Sequence, residues 1–434
     1  MRFSFAQRYG LAGLLLAALP AQAQAPAPAA NAADTAWMLT ATALVLLMTL
    51  PGLALFYGGL VRGKNSLSVL IQCFAITCVT SMLWFAVGYG LSFGNGGSMQ
   101  GFIGGFERAL LRGMDRDSLV GNLPESVFFM FQLTFAVITP ALVIGGFAER
   151  IRFSVVLWFS ALWLLFVYAP IAHWVWGGGW LAKLGVMDFA GGIVVHVNAG
   201  VAALVCALVV GKRRGFPEVP MAPHNLPLVV CGAGMLWVGW FGFNGGSALG
   251  AGSGAGMAIL ATHLGASAGA LAWMLIEWRR YGKPSVLGVV TGMVAGLGTI
   301  TPASGFVGPA GAVAIGFVAG TACFFATQLL KRVLHIDDSL DVSPVHGVGG
   351  MVGTVLTGVF AAVSLGGSGF TVQQSMGAQL AVQALGVAAS AAWCAVITWL
   401  LLKVLDRTLG LRVSEEQEAE GLDLAQHGER GYNL

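Results

Sequence analysis

The sequence predicts an all-α polytopic membrane protein with eleven transmembrane helices, laid out as two inverted five-helix repeats plus a C-terminal eleventh helix. Three observations carry that expectation. Of 434 residues, 57% are hydrophobic and only 9% charged, where a soluble domain carries about a quarter charged residues. The apolar residues come in runs of roughly 20, the length that spans a hydrocarbon core. Short motifs from the first half of the chain reappear at corresponding places in the second.

The chain begins with Arg2 and Arg8, an apolar run from Leu11 to Leu19, and Ala21-Gln22-Ala23. Together these make a secretory signal peptide over residues 1–23, with an uncleaved first helix as the alternative. Residues 24–35 then read as an extracytoplasmic N-terminal segment, 36–408 as the membrane domain and 409–434 as a cytoplasmic tail. Candidate helices fall at 36–58, 66–93, 125–148, 153–176, 189–210, 226–246, 254–278, 285–302, 306–330, 343–364 and 376–405. A β-barrel is excluded, because barrel strands alternate apolar and polar residues over short segments, whereas these runs are apolar all round. The 63 glycines fit this reading, since small residues let membrane helices approach closely where no hydrophobic effect drives them together. Cys73, Cys78, Cys206, Cys231, Cys323 and Cys394 lie in apolar stretches without metal-like spacing; they read as packing residues, and no metal or other cofactor is expected.

Eleven spans put the two ends of the chain on opposite sides, N-terminus outside and tail cytoplasmic. Basic residues test this independently. Loops expected inside hold Arg62, Lys64, Arg150, Arg152, Lys212, Arg213, Arg214, Arg279, Arg280, Lys283, Lys331 and Arg332, against Arg108, Arg112, Arg116 and Lys183 outside. That asymmetry follows the positive-inside rule and supports both orientation and helix count. A net charge of +3, with its basic residues so scattered, excludes a nucleic-acid surface; the expected partner is membrane lipid.

The internal echoes are Phe56-Tyr57-Gly58-Gly59 against Phe243-Asn244-Gly245-Gly246, and Val195-His196 against Val345-His346. Five helices followed by five more have opposite topology, the inverted-repeat plan of many transporters. The eleventh helix stands outside the repeat and could brace the two halves or an oligomer.

A charge at mid-bilayer costs at least roughly 2.5–3.5 kcal/mol, so intramembrane ionisable residues are read as functional by default. His196 and His346 pass this filter at matching positions of the two halves. Neutral imidazole offers one donor and one acceptor, so a facing pair could share a proton and line an otherwise apolar path; two unrelated histidines bonded to local carbonyls is the competing reading. Asp188 precedes a helix and reads first as an N-cap, with an electrostatic preference for cations at the outer mouth as a second effect. His173 and His263 read as ordinary satisfied histidines, and Glu149 with Arg150 as the topology-fixing start of a cytoplasmic loop. Aromatics crowd Phe128 to Phe135, Trp174 and Trp176, and Trp237 to Phe243. Many belong at the membrane interface. Several rings plus a hydroxyl such as Ser247 could also hold a small cation, at about 0.5–2 kcal/mol per ring.

The strings Pro51 to Arg62 (PGLALFYGGLVR), Asp188-Phe189-Ala190-Gly191-Gly192 to His196, Gly239-Trp240-Phe241-Gly242-Phe243-Asn244-Gly245-Gly246-Ser247, and Asp341 to His346-Gly347 resemble ammonium transporters of the Amt/Mep/Rh family, bacterial Amt type, from about Ala36 to the C-terminus. The resemblance implies transport of ammonium or ammonia across a bacterial cytoplasmic (inner) membrane. It places Phe135, Trp176 and Ser247 at an outer recruitment site, Phe135 and Phe243 at a gate beneath it, and His196, His346, Trp240 and Thr301 along the pore. Asp188 corresponds to the acidic residue supporting the recruitment site. It further implies a homotrimer and a PII signal protein docking on the cytoplasmic face, where Glu415 to Tyr432 is similar to the family's tail. An ammonium sensor signalling through that tail is the alternative. An enzyme is not expected: no Ser near either histidine sits in a GxSxG motif, and a haem protein would announce itself by a Soret band.

Overall fold

The computed structural model describes residues 29–432, so the signal-peptide reading of 1–23 lies outside the described residues. The helices are α1 (Ala32–Leu60), α2 (Gly63–Phe93), α3 (Glu125–Phe147), α4 (Phe153–Lys183), α5 (Gly192–Val210), α6 (Leu226–Gly246), α7 (Ser253–Tyr281), α8 (Val286–Ile300), α9 (Pro309–Val333), α10 (residues 343–360) and α11 (Met376–Leu409). Each of the eleven candidate helices expected from the sequence is occupied by helix among the described residues. Among the described residues, nine helices are long and apolar enough to cross a membrane; α8 and α10 are not among them. A two-residue pair, β1 (Leu119–Val120) against β2 (Leu123–Pro124), sits in the loop before α3.

Local chemistry sets the boundaries. Asn31 accepts a hydrogen bond from the Asp34 amide at 3.0 Å, an N-cap that starts α1 earlier than residue 36. Pro51, without an N–H to donate, interrupts α1 at Leu50, whose φ of −127° and ψ of 99° are not helical. α3 is the central helix, with 94% of its apolar window buried, and α11 the most peripheral at 28%. α11 lies against α4 and α5 of the first half and α10 of the second. α7, α8 and α9 meet at Gly269, Gly296 and Gly320, where an added Cβ would run into neighbouring backbone. Cys73, Cys206, Cys323 and Cys394 are buried packing residues, whereas Cys78 and Cys231 are exposed on the apolar outer face.

The face of the molecule that carries the tail adds two features to the sequence reading. Glu149 and Arg150, at the start of the loop after α3, are buried, at 1% and 0% exposed. Glu149 pairs with Arg62 at 2.9 Å and with Arg213 at 3.0 Å, and Arg213 pairs with Asp337 at 2.7 Å. Arg150 donates to the carbonyls of Gly146, Ala148, Gly211 and Asp337 and to Ser339. Burial alone would push the Glu149 carboxyl up, but Arg213 and then Arg62 hold it below its ordinary value. The tail, moreover, is folded: α12 (Glu415–Glu420) and α13 (Leu422–His427) dock on the same face. Asp423 accepts from the amides of Leu67 and Ser68 at 3.0 and 2.7 Å, closing the N-terminal turn of the long segment of α2. Glu418, 1% exposed, joins the Arg214 amide to the Arg412 guanidinium.

Candidate functional site

Two helices that begin with a π-turn meet at the centre of the molecule. Gly192–Val197 opens α5 and carries His196; Ser343–Val348 opens α10 and carries His346. A π-turn spaces hydrogen bonds five residues apart and commonly marks a functional position. Close approach is possible because Gly200 lies directly on Gly347, where a Cβ would strike backbone. The rings lie edge to edge and nearly coplanar, with centroids 5.1 Å apart and planes 16° apart, and the two Nδ1 atoms are separated by 3.1 Å. One ring must donate and the other accept, so the pair holds a single proton between opposite tautomers. His196 Nε2 is buried with no hydrogen-bond partner among the described residues.

The start of α5 is held by Asp188. Its Oδ1 accepts from Gly191 and Gly192 at 2.8 and 2.6 Å, its Oδ2 from Ile193 and Val194 at 2.8 and 3.2 Å. All four are amides of the helix start, so the side chain caps α5 as its position suggested. Gly191 stands at φ 112°, a left-handed conformation open to glycine. The Asp188 carbonyl accepts from Trp176 Nε1 at 2.9 Å, which ties the cap to the aromatic wall.

Three cavities adjoin one another around the histidine pair, the first two separated by the Phe135–Phe243 contact and the last two sharing lining residues. The outer one, about 290 Å³, is walled by Phe93, Phe128, Phe131, Gln132, Phe135, Val175, Trp176, Phe189, Ser247 and Leu249. Its floor is Phe135, stacked on Phe243 with centroids 4.2 Å apart and standing edge-on to Trp176 at 5.9 Å. Beneath Phe243 is a constriction of about 10 Å³ lined by His196, His346, Trp240, Phe56, Leu236, Val195 and other apolar side chains. A single water needs roughly 10–15 Å³, so this space admits one molecule of that size. The inner chamber, about 100 Å³, shares Phe56, Val294 and His346 with the constriction and adds Tyr57, Thr291, Lys331, Ser339 and Asp341. Trp240 stacks on His196 at 5.6 Å. Its Nε1 donates to Thr301 Oγ1 at 2.8 Å, and that hydroxyl donates to the Leu297 carbonyl. Thr301 therefore orients Trp240 from behind. Ser247 Oγ donates to the Phe243 carbonyl at 2.8 Å, which leaves its oxygen lone pairs free as acceptors.

The structure thus gathers Phe135, Trp176, Ser247, Phe243, Trp240, His196 and His346 along one axis, with Asp188 and Thr301 behind the wall. Of the other histidines, His173 has both ring nitrogens engaged, with Ser92 and Gln100 carbonyls at 3.0 and 2.8 Å. His263 differs from expectation: it is exposed on the outer face of α7 and stacks on Trp237 at 5.3 Å. Phe56, Gln132, Lys331 and Asp341 were not singled out from sequence as lining residues. Phe56 had a signal, since the motif containing it echoes the one containing Phe243.

Comparison with known proteins places the chain in a family. A model of the Ammonium Transporter Family matches residues 36–432. The chain belongs to the ammonium transporter family. An ammonium transporter of Aquifex aeolicus is 47% identical over 98% of this chain and 99% of its own length. Ammonium transporter Amt1 of Archaeoglobus fulgidus is 46% identical over 92% and 99% respectively. Among solved structures, a sensor Amt protein superimposes with a TM-score of 0.85 at 33% identity, covering 91% of this chain and 98% of that one. Saccharomyces cerevisiae Mep2 superimposes with a TM-score of 0.82 at 40% identity, covering 89% and 91%. Family and apolar helices together make the chain a multi-pass membrane protein of a transporter family.

Proposed function

We propose that this member of the family conducts ammonium nitrogen through the His196–His346 axis, with eleven membrane crossings, the N-terminus outside and the tail in the cytoplasm of a bacterial inner membrane. The observation that carries the reading is the imidazole pair, joined Nδ1 to Nδ1, in a single-molecule constriction between two cavities.

Ammonium is drawn to the ring faces of Phe131, Phe135 and Trp176 by their quadrupoles and donates a hydrogen bond to the Ser247 oxygen. Asp188 contributes no direct contact, because both its oxygens are occupied by amides. Its role is to hold α5, and through its carbonyl Trp176, in place. The Phe135–Phe243 stack gates the passage, and displacement of those rings admits one molecule at a time. An alkylammonium has a reference pKa of about 10.4 that burial lowers by several units, so entry into the apolar constriction favours release of a proton. The unpartnered His196 Nε2 and the shared Nδ1–Nδ1 proton supply a relay by which that proton follows the nitrogen inward. Potassium has no proton to release and no N–H to donate, which is the basis of selectivity.

The test is ammonium-evoked current in proteoliposomes, with potassium as control. Current is expected in the wild type and a loss of about tenfold or more in His196→Ala or His346→Ala, in line with removal of a positioned proton-transfer group. A silent wild type, or undiminished current in both variants, overturns the reading. A second reading is an ammonium sensor, favoured by the likeness to the sensor Amt protein and by a tail folded against the membrane domain. Binding of ammonium without current, together with tail release, would select it. The homotrimer and the PII partner belong to the same proposal. Native mass of the detergent-solubilised protein tests the first, and a pull-down with and without ADP or 2-oxoglutarate tests the second.

A further inference from the structure

Lys331 projects from the end of α9 toward the loop that precedes α10. Its Nζ lies 2.8 Å from each oxygen of the Asp341 carboxylate. Both residues line the inner chamber, whose wall also includes His346. They are partly exposed, at 31% and 23% for the side chains, so the pair stands where the chamber meets the cytoplasm. A lysine head group is a primary ammonium on a tether. A carboxylate that accepts it in this geometry has the chemistry to accept free ammonium. Asp338, three residues before Asp341 and outside the chamber wall, is 1% exposed, accepts from the Ser343 amide through Oδ2, and leaves Oδ1 without a partner among the described residues. Burial first, and the neighbouring Asp341 charge second, push the Asp338 carboxyl up to about 6.

We infer that Asp341 is an inner ammonium site at the cytoplasmic end of the conduit, and that Lys331 is a tethered competitor for it. This deepens the transport reading and rests on it. A tethered group acts at an effective concentration on the order of mM. While cytoplasmic ammonium stays below that range, Lys331 reclaims Asp341 and displaces departing ammonium. When cytoplasmic ammonium rises into that range, the free ion holds the site and the exit stays occupied. The consequence is product inhibition from the inner side, set by one salt bridge.

The test measures inward methylammonium current in proteoliposomes of fixed orientation, preloaded with increasing ammonium on the tail side. Lys331→Met is expected to lower the half-inhibitory internal ammonium three- to tenfold, and Asp341→Asn to raise it tenfold or more. Equal half-inhibition in all three proteins, or shifts in the same direction for the two variants, overturns the inference, because a merely structural salt bridge would be lost alike in both. A direct readout is the dipolar contact between isotope-labelled methylammonium and labelled aspartate carboxyls in Lys331→Met. It should be present there and vanish when Asp341→Asn is added; its absence in Lys331→Met also overturns the inference. A wild type without current would strike the transport reading, while this contact would still decide whether Asp341 binds ammonium.

Discussion

The starts of α5 and α10 use one backbone device and two different electrostatic solutions. Each opens with a π-turn carrying a histidine, and the two meet through Gly200 and Gly347. At the start of α5 a single carboxylate, Asp188, closes four amides and has no capacity left. Before the start of α10 the work is divided: Asp338 takes one amide, Asp341 takes Lys331, and Asp337 takes Arg213. A saturated cap has no acceptor left for a cation, whereas a divided arrangement leaves exchangeable charge beside the chamber next to His346; under the proposed transport the first is silent toward the substrate and the second is not. Pseudo-symmetry therefore governs where the imidazoles stand, while the two mouths can perform different tasks.

The largest effect should come from removing the saturated cap. Asp188→Ala leaves four buried amides of the α5 start unpaired, and loss of one partner in a buried charged arrangement costs roughly 3–5 kcal/mol. Thermal unfolding in detergent should show a drop of that order, with poor accumulation in membranes; a wild-type melting curve would break the comparison. The divided end should respond less and with a pH signature. Glu149→Gln removes the charge opposing Arg62 and Arg213, at a cost of about 3 kcal/mol because Arg62 is partly solvated. The Glu149 carboxyl is held below its ordinary 4.5, so its contribution is present above that pH and lost as pH falls through and below it. Stability of the wild type should decline over that window more steeply than that of Glu149→Gln, and parallel pH curves would contradict the assignment.

How far this was legible in the sequence follows from the range of each interaction. Helices and their order could be read because lipid imposes apolar runs of a set length. His196, His346 and the aromatic wall could be read because polar or ring-bearing residues stand out against such runs. Asp188 was legible as a cap because its partners lie within the next few residues. Glu149, Arg150 and Asp337 were not, because their partners come from loops far apart in the chain. Arg213 and Lys331 counted only as positive-inside charges, since sequence reports their side of the membrane and not the carboxylate each one meets. The folded tail was missed for the same reason: the Glu418 and Asp423 partners belong to loops near Arg214 and Leu67.

Two smaller perturbations sharpen the contrast. Gly200→Ala inserts a Cβ against Gly347 backbone and should cost about 1–3 kcal/mol by overpacking. Unlike a cap variant, it separates the histidine-bearing segments themselves. Current should fall although both imidazoles remain, and an unchanged current would mean that their 3.1 Å approach is not needed.

The smallest effect is expected at Ser247, where the saturated outer end faces the substrate. Its hydroxyl proton is already committed to the Phe243 carbonyl, so only the oxygen lone pairs are available to an ammonium N–H. Replacing it in Ser247→Ala forfeits one hydrogen bond of about 1 kcal/mol, which is about fivefold in half-saturation. The maximal current should be retained, because the gate and the histidine pair are untouched. If maximal current falls while half-saturation holds, Ser247 acts through the Phe243 backbone and the gate, and the division between a recruiting outer end and a releasing inner end would need to be redrawn.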